Sequence, residues 1–394
     1  MFTRVRDKGS RYYVFIKKQV MAVLFDQFSY RMNKTSEGVY YDRWHGHMFP
    51  EISIPEKLYF LNRIISALLT HDKLFIRTDS IEEMIECIGF DAFRMLYNGG
   101  EIVILDNWWV PAFMCNGNSV LYMNMHETQY QDKMCSRLLE RKGLEASRFM
   151  NSIFKKVCNT SDSDTYDFWD NTSQENMYED FSYNDRIRAL LNIQSESIMS
   201  ISNEDDTWSA VRLCLFERSI EWSKQLKTDE ILLEDEAKKY LLYKSDIQLD
   251  SIIQYFKQVL YAKGIPNLSI LYYNDVISMK DIIRVRDKVA FGEFTSWLKS
   301  HNYSVKELEL ALLNGRSNNS VIEKWLRWAV VCASPLFLPA GTVQTLTGIG
   351  LSFLEQLLPQ FSGQKIPVLY FDNVLSKQFD SSKMNRKLQS KFGF

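Results

Sequence analysis

Residues 328–354, WAVVCASPLFLPAGTVQTLTGIGLSFL, contain no charged side chain. A run of this kind belongs either against lipid or inside protein, because so large an apolar surface is not left in water. A helix crossing a bilayer needs about 20 consecutive apolar residues, and this run exceeds that length. Pro335, Pro339 and Gly341 interrupt it, however, and Thr342, Gln344, Thr345, Thr347 and Ser352 make its second half amphipathic. Neither half alone is long enough to span. The pattern predicts a helix to Cys332, a turn through SPLFLPAG and a second helix through VQTLTGIGLSFLEQLL, together an apolar helical hairpin. Gly348 and Gly350 would let the hairpin approach another helix closely, and small residues also recur in membrane-inserting hairpins. Two readings follow: the packed core of a soluble or oligomeric protein, and a membrane contact.

The chain has 394 residues, too many for one ordinary core, which implies two or three domains. With 46% hydrophobic and 24% charged residues it has the composition of a globular protein. Only 16 glycines and 8 prolines argue for long regular elements and against a turn-rich β-sandwich. A net charge of −2 gives no global electrostatic signal for nucleic acid. The tail KMNRKLQSKFGF is locally basic through Lys383, Arg386, Lys387 and Lys391, and reads as a solvated face. Cysteines at 87, 115, 135, 158, 214 and 332 form no CxxC pair and several sit among apolar residues, as expected of buried thiols in a reducing compartment. Lys17 and Lys18 break the apolar run near the N-terminus, so no signal peptide is read there. The expected location is cytoplasmic, peripheral at the inner membrane if the hairpin meets lipid.

The expected fold class is α+β and predominantly α-helical: a small N-terminal α+β unit over 1–158, a polar acidic linker over 159–180, a helical domain over 181–320, and the hairpin with its basic tail over 321–394. SIPEKLYFLNRIISALLTHD predicts a helix capped by Ser53 with Pro55 in its first turn and Leu61, Ile64, Ile65 and Leu68 on one face. KLFIR predicts a strand, DSIEEMIECIGF a helix with Ser80 and Glu83 at capping-box spacing, DAFRMLYNGG a helix stopped by glycine, and EIVILDNWW and SVLYMNMHE two strands. A long helix is expected over 131–157. TWSAVRLCLFERSIEW, EILLEDEAKKYLLY and LDSIIQYFKQVLYAKG read as helices, the last stopped by Gly264. SMKDIIRVRDKVAFGEFTSWLKSHN reads as one helix capped by Ser278. RVRDK occurs at 4–8 and 284–288 with unlike flanks, and is treated as coincidence.

Candidate chemistry is sparse. HDKLFIRTD comes near a phospholipase-D-type pattern through His71 and Lys73. Its acid, Asp79, stands one residue too far, a slip that moves a strand side chain to the other face. His71 is better placed ending the preceding helix, where its charge suits the dipole. DRWHGHMFPE sets His45 and His47 two apart, a spacing that can share a metal if a third ligand such as His126 or Glu127 arrives through the fold. Asp162, Asp164, Asp167 and Asp170 lack the glycine and glutamate of a calcium loop. The pairs Glu140–Lys142 and Glu236–Lys238 lie in helical patterns, whereas nuclease chemistry wants them on a strand. GxxxxGK[ST], GxGxxG and GxSxG do not occur. No cofactor is expected.

MKDIIRVRDKVAFGEFTSWL, EKWLRWAVV, the glycine-rich hairpin and FLEQLLPQFSGQKIPVLYFDNVL resemble the C-terminal halves of uncharacterised bacterial accessory-genome proteins of phage-defence type. Those carry an arginine-led helix ending in a Phe–Arg–x–Trp–Leu-like motif, then an apolar hairpin and a short Pro-containing tail. Arg286, Phe294, Trp297 and Leu298 match, while Thr295 stands where the family's arginine is usual. LFIRTDSIEEMIECIGFDAFRMLYNGGEIVIL resembles their N-terminal module. The resemblance implies a non-enzymatic component of antiviral defence that senses a phage product or acts as effector. Its partner would be a protein, a second copy of the chain or a membrane, and its interaction residues would be Arg286, Phe294, Trp297, Gly348 and Gly350. The alternative is a metal-dependent or phosphodiesterase-type hydrolase built on His45, His47, His71 or His126.

Overall fold

The computed structural model describes residues 22–26, 32–35, 38–41, 52–77, 80–105, 109–116, 119–126, 129–158, 175–201, 203–233, 240, 252–302, 304–314 and 365–393. The architecture is predominantly α-helical α+β, the class implied by the sequence. It divides into two compact units, both discontinuous: Met1–Ser53 with Asp72–Leu249, and Ile54–His71 with Asp250–Phe394. The predicted hairpin, with Gly348 and Gly350, lies outside the described residues, as do His45 and His47.

The first unit holds eight described strands in two sheets. Strands β1 (Ala22–Asp26), β4 (Lys73–Arg77), β5 (Ile102–Leu105) and β8 (Glu230–Leu233) form one sheet of order β5-β4-β1-β8, parallel throughout. Its strands read as near-continuous apolar runs, as parallel strands do; Leu74, Phe75, Ile76, Ile102, Ile104, Leu105, Ile231 and Leu232 are buried. Strands β2 (Met32–Thr35), β3 (Gly38–Tyr41), β6 (Trp109–Asn116) and β7 (Ser119–His126) form an antiparallel sheet in that order.

Helices α2 (Ile81–Ile88) and α3 (Phe90–Gly99) link β4 to β5, and Gly100 closes α3 in the left-handed conformation, as predicted. Ser80 occupies the N-cap of α2, but its side chain makes no capping bond to the helix, so the expected capping box is not formed. The long helix expected over 131–157 is two, α4 (Gln129–Lys142) and α5 (Leu144–Cys158). Gly143 parts them at φ 86°, a conformation other residues rarely adopt. Arg137 on α4 chelates the Glu82 carboxylate on α2 at 2.8 and 2.6 Å, a buried bidentate pair that fixes one helix on the other. Residues 175–183 are helical (α6) where the linker was expected to run to 180, and residues 159–174 lie outside the described residues. Next come α7 (Asp185–Leu190) and α8 (Glu204–Leu226). The start of EILLEDEAKKYLLY is strand β8 and not helix. Four residues, three of them apolar, carry no decisive period, and pairing with β1 settles them.

The second unit is all helical among its described residues. Helix α1 (Ile54–Thr70) is its axis: from Phe60 to Thr70 every residue but Asn62 is buried, so the predicted single stripe of Leu61, Ile64, Ile65 and Leu68 is only part of the covered surface. Helices α9 (Ile252–Ala262), α10 (Leu268–Tyr273), α11 (Met279–Arg286) and α12 (Val289–Ser300) pack on α1. Gly264 stops α9 at φ 68°. Ser278 caps α11 reciprocally with Asp281, as its position predicts. The single helix expected from there breaks at Asp287–Lys288 into α11 and α12. Helix α13 (Val305–Asn314) follows. Then α14 (Lys365–Leu369) runs through a π-helical segment, Tyr370–Leu375, into Ser376–Gln378, and α15 (Ser381–Phe392) ends the unit. These divisions differ from the expected domain limits. Residues 181–233 belong with the sheets, while α1, α14 and α15 join the helical unit, where the second half of α1 is buried.

Candidate functional site

The last turn of α1 leaves carbonyl groups without intrahelical partners, as every helix end does. In this unit they are met by side chains from far along the chain. Arg286, at the end of α11, donates through Nη1 to the carbonyls of Leu68 and of His71, the second at 2.7 Å. Tyr370, in the π-helical segment, donates its hydroxyl to the Leu69 carbonyl at 2.9 Å. Thr70 Oγ1 bonds the Ser66 carbonyl and lies 2.8 Å from His71 Nδ1. Cations at a helix C-terminus also complement its dipole. The Arg286 guanidinium stands 4.9 Å over the Phe291 ring, so its other face is covered by an aromatic.

Around this polar knot lies an aromatic cluster. Phe294 stacks on Tyr370 with centroids 4.3 Å apart and planes 15° from parallel. Phe371 meets Phe294 edge-on at 5.6 Å, and Phe256 lies 5.2 Å from Phe371. The π-helical turn sets the consecutive residues Tyr370 and Phe371 both inward; such insertions recur at functional sites. Arg286, Phe294 and Trp297, expected as interaction residues, are therefore joined to the interior: Phe294 and Trp297 are buried and Arg286 is half-buried in the knot. Thr295 is buried too, and its hydroxyl bonds the Gly292 carbonyl within α12.

His71 does end α1, but it is buried and uncharged, not a cation serving the dipole. Burial first, and the Arg286 charge second, hold its pKa down at about 3. A histidine neutral in the folded state and near 6.5 when unfolded takes up a proton on unfolding at every pH between those values. Stability is thus complete above about pH 6.5 and lost as pH falls from 6.5 toward 3. Between pH 7.5 and pH 5 the loss is about 2 kcal/mol, expected as a fall in urea midpoint that His71→Gln abolishes. Equal acid sensitivity in the variant would show that another group is responsible.

In the first unit the Tyr240 hydroxyl lies within hydrogen-bonding reach of the buried carboxylates of Asp180 and Glu217 and can donate its one proton to either, and burial, reinforced by both charges, raises its pKa well above the usual phenol range. Asp206, at the start of α8, is pushed up by burial but pulled further down by hydrogen bonds from Ser195, the Gln194 backbone and Asn203. Its carboxylate anchors residues 194–195, and its backbone N–H donates to the side chain of Asn203, the N-cap of the helix. His126 sits on β7 opposite Trp109. Among the described residues no three His, Cys, Asp or Glu side chains gather as a metal site. Glu140 and Lys142 lie exposed on α4, the helical setting predicted for them.

A surface of a different character occupies one side of the helical unit. Ile54 and Tyr273 are 56% and 37% exposed, Ile270 43% and Phe392 49%. They are linked in space: Lys57, one turn after Ile54, stands 5.9 Å over the Tyr273 ring, and Ile270 lies one turn before Tyr273. Lys391, next to Phe392, bonds the Asn274 carbonyl at 2.6 Å and Asp275 at 3.1 Å. Helix α15 buries Met384 alone, and exposes Lys383, Arg386, Lys387 and Lys391. The basic tail was legible as a motif; the apolar companions on α1 and α10 were not, because no sequence period joins them. Among the described residues no helix is long and apolar enough to cross a membrane. No protein family, curated protein or solved structure matches this chain.

Proposed function

We propose that this chain is a non-enzymatic binding component of bacterial antiviral defence, sensing a phage product or acting as effector through a protein or membrane contact. The observation that supports binding is the surface on α1, α10 and α15, where aliphatic and aromatic side chains stand exposed among lysines and arginines. Aromatic and aliphatic side chains exposed among basic ones are the make-up of many interaction surfaces. The defence setting rests on the residue resemblance around Arg286, Phe294, Trp297 and Leu298.

Phage challenge of cells with and without the gene tests the setting: plaque counts should rise on its removal. In the same assay the double variant His45→Ala, His47→Ala should protect as well as the wild type. Loss of protection together with loss of a bound metal, in a variant that remains folded, would replace the binding reading with a metal-dependent hydrolase.

A further inference from the structure

We infer that the face formed by the N-terminal turn of α1, by α10 and by α15 docks on an anionic lipid surface. The inference deepens the binding reading above. Two properties of the face favour lipid over a flat protein partner. The first is charge arrangement. Lys383, Lys387 and Lys391 recur every four residues along α15 with Arg386 beside them, and residues 381–393 contain no acid. Of the acids nearby, Asp380 caps α15 through the Lys383 backbone, Asp275 pairs with Lys391, Asp281 bonds Ser278 and Arg284 and interacts with the Lys387 charge as well, and Glu56 is exposed on the first turn of α1. The second is the apolar set. Met384, Leu388 and Phe392 follow the same four-residue spacing, and their exposure rises from buried through half-buried to exposed toward the end of the helix. At that end stand Tyr273, Ile270 and, through Lys57, Ile54.

Surfaces that dock in a membrane interface combine basic side chains with exposed aromatic and aliphatic ones in this way. Long lysine and arginine stems let the charges reach phosphate headgroups while the apolar residues enter the acyl boundary. Bases stacked on Tyr273 would be the nucleic-acid version of the same contact. The exposed aliphatic members Ile54 and Ile270, with Phe392, favour lipid instead.

The test uses the full chain and vesicle co-sedimentation. Wild-type protein should bind vesicles of equal parts phosphatidylcholine and phosphatidylglycerol, leave phosphatidylcholine vesicles unbound, and be released by salt. Lys383→Glu with Lys387→Glu should weaken binding by roughly tenfold or more, and the uncharged substitution Phe392→Ser should weaken it without changing its salt dependence. All three positions are exposed, so circular dichroism should be unchanged. No binding to anionic vesicles, equal binding by the charge-reversed variant, or binding only to a single-stranded oligonucleotide would each overturn the inference. Vesicle binding is read on purified protein and protection in cells, so the two readings fail separately. Absent vesicle binding with intact protection removes this inference alone, and intact vesicle binding with absent protection removes the defence reading alone.

Discussion

Phe294→Ala is expected to destabilise the helical unit by about 3–5 kcal/mol, the range for truncating a fully buried phenylalanine. The ring is entirely buried, stacks on Tyr370, and meets Phe371 and Phe256 as well. Its removal leaves a cavity at the point where α12, α9 and the π-helical segment converge, and Tyr370 loses the stack that orients its hydroxyl toward the Leu69 carbonyl. Hydrogen exchange of the amides in α1, α9 and α12 would measure this unit separately from the sheets. Val289→Ala, at a position 79% exposed on the same helix, should move the same amides by less than about 0.5 kcal/mol. A loss below about 1 kcal/mol for Phe294→Ala would mean that the cluster collapses around the void and does not depend on this ring.

Arg286→Met is expected to cost about 3 kcal/mol. Methionine keeps an apolar stem but returns the Leu68 and His71 carbonyls to a half-buried site without their donor, at about 1–3 kcal/mol for each group left unsatisfied. Arg286→Lys should lie between the two, because an ammonium can reach a carbonyl but cannot cover the Phe291 face as a planar guanidinium does. A second readout separates this role from general packing. The Arg286 charge adds to burial in depressing His71, so Arg286→Met should raise the His71 pKa, seen in the imidazole NMR titration. Loss of stability with an unmoved His71 titration would leave the arginine as packing only.

Much of the helical unit was open to reading from local pattern. The Ser278 cap, the Gly264 stop and the first helix with Pro55 are all decided within a turn or two of chain. Elements decided by distant partners escaped. Residues 230–233 become a strand by pairing with residues 23–26, and no window of sequence contains both. The knot at the end of α1 escaped for the same reason: Arg286 acts on carbonyls 218 and 215 residues before it, and Tyr370 on one 301 residues before it. The arginine was conspicuous in the sequence, but its task was not, because a backbone carbonyl leaves no mark on residue identity. The exposed face of α15 was legible as charge and illegible as a surface, since Ile54 and Tyr273 join it only through the fold.

The split composition of the helical unit bears on how the chain is born. Its axial helix emerges from the ribosome well before its partners: Tyr370, which closes the end of that helix, is translated 301 residues after Leu69. At about 5–20 residues per second, that delay is roughly 15–60 s. During this interval the half of the helix that ends up buried, Phe60–Thr70, has no finished home. A nascent chain stalled before residue 250 would carry that oily segment unsheathed, between parts able to complete their own sheets, and would be a natural client for holdase chaperones. Shortening the gap by circular permutation, with a new start at residue 250, would place the axial helix shortly after its partners.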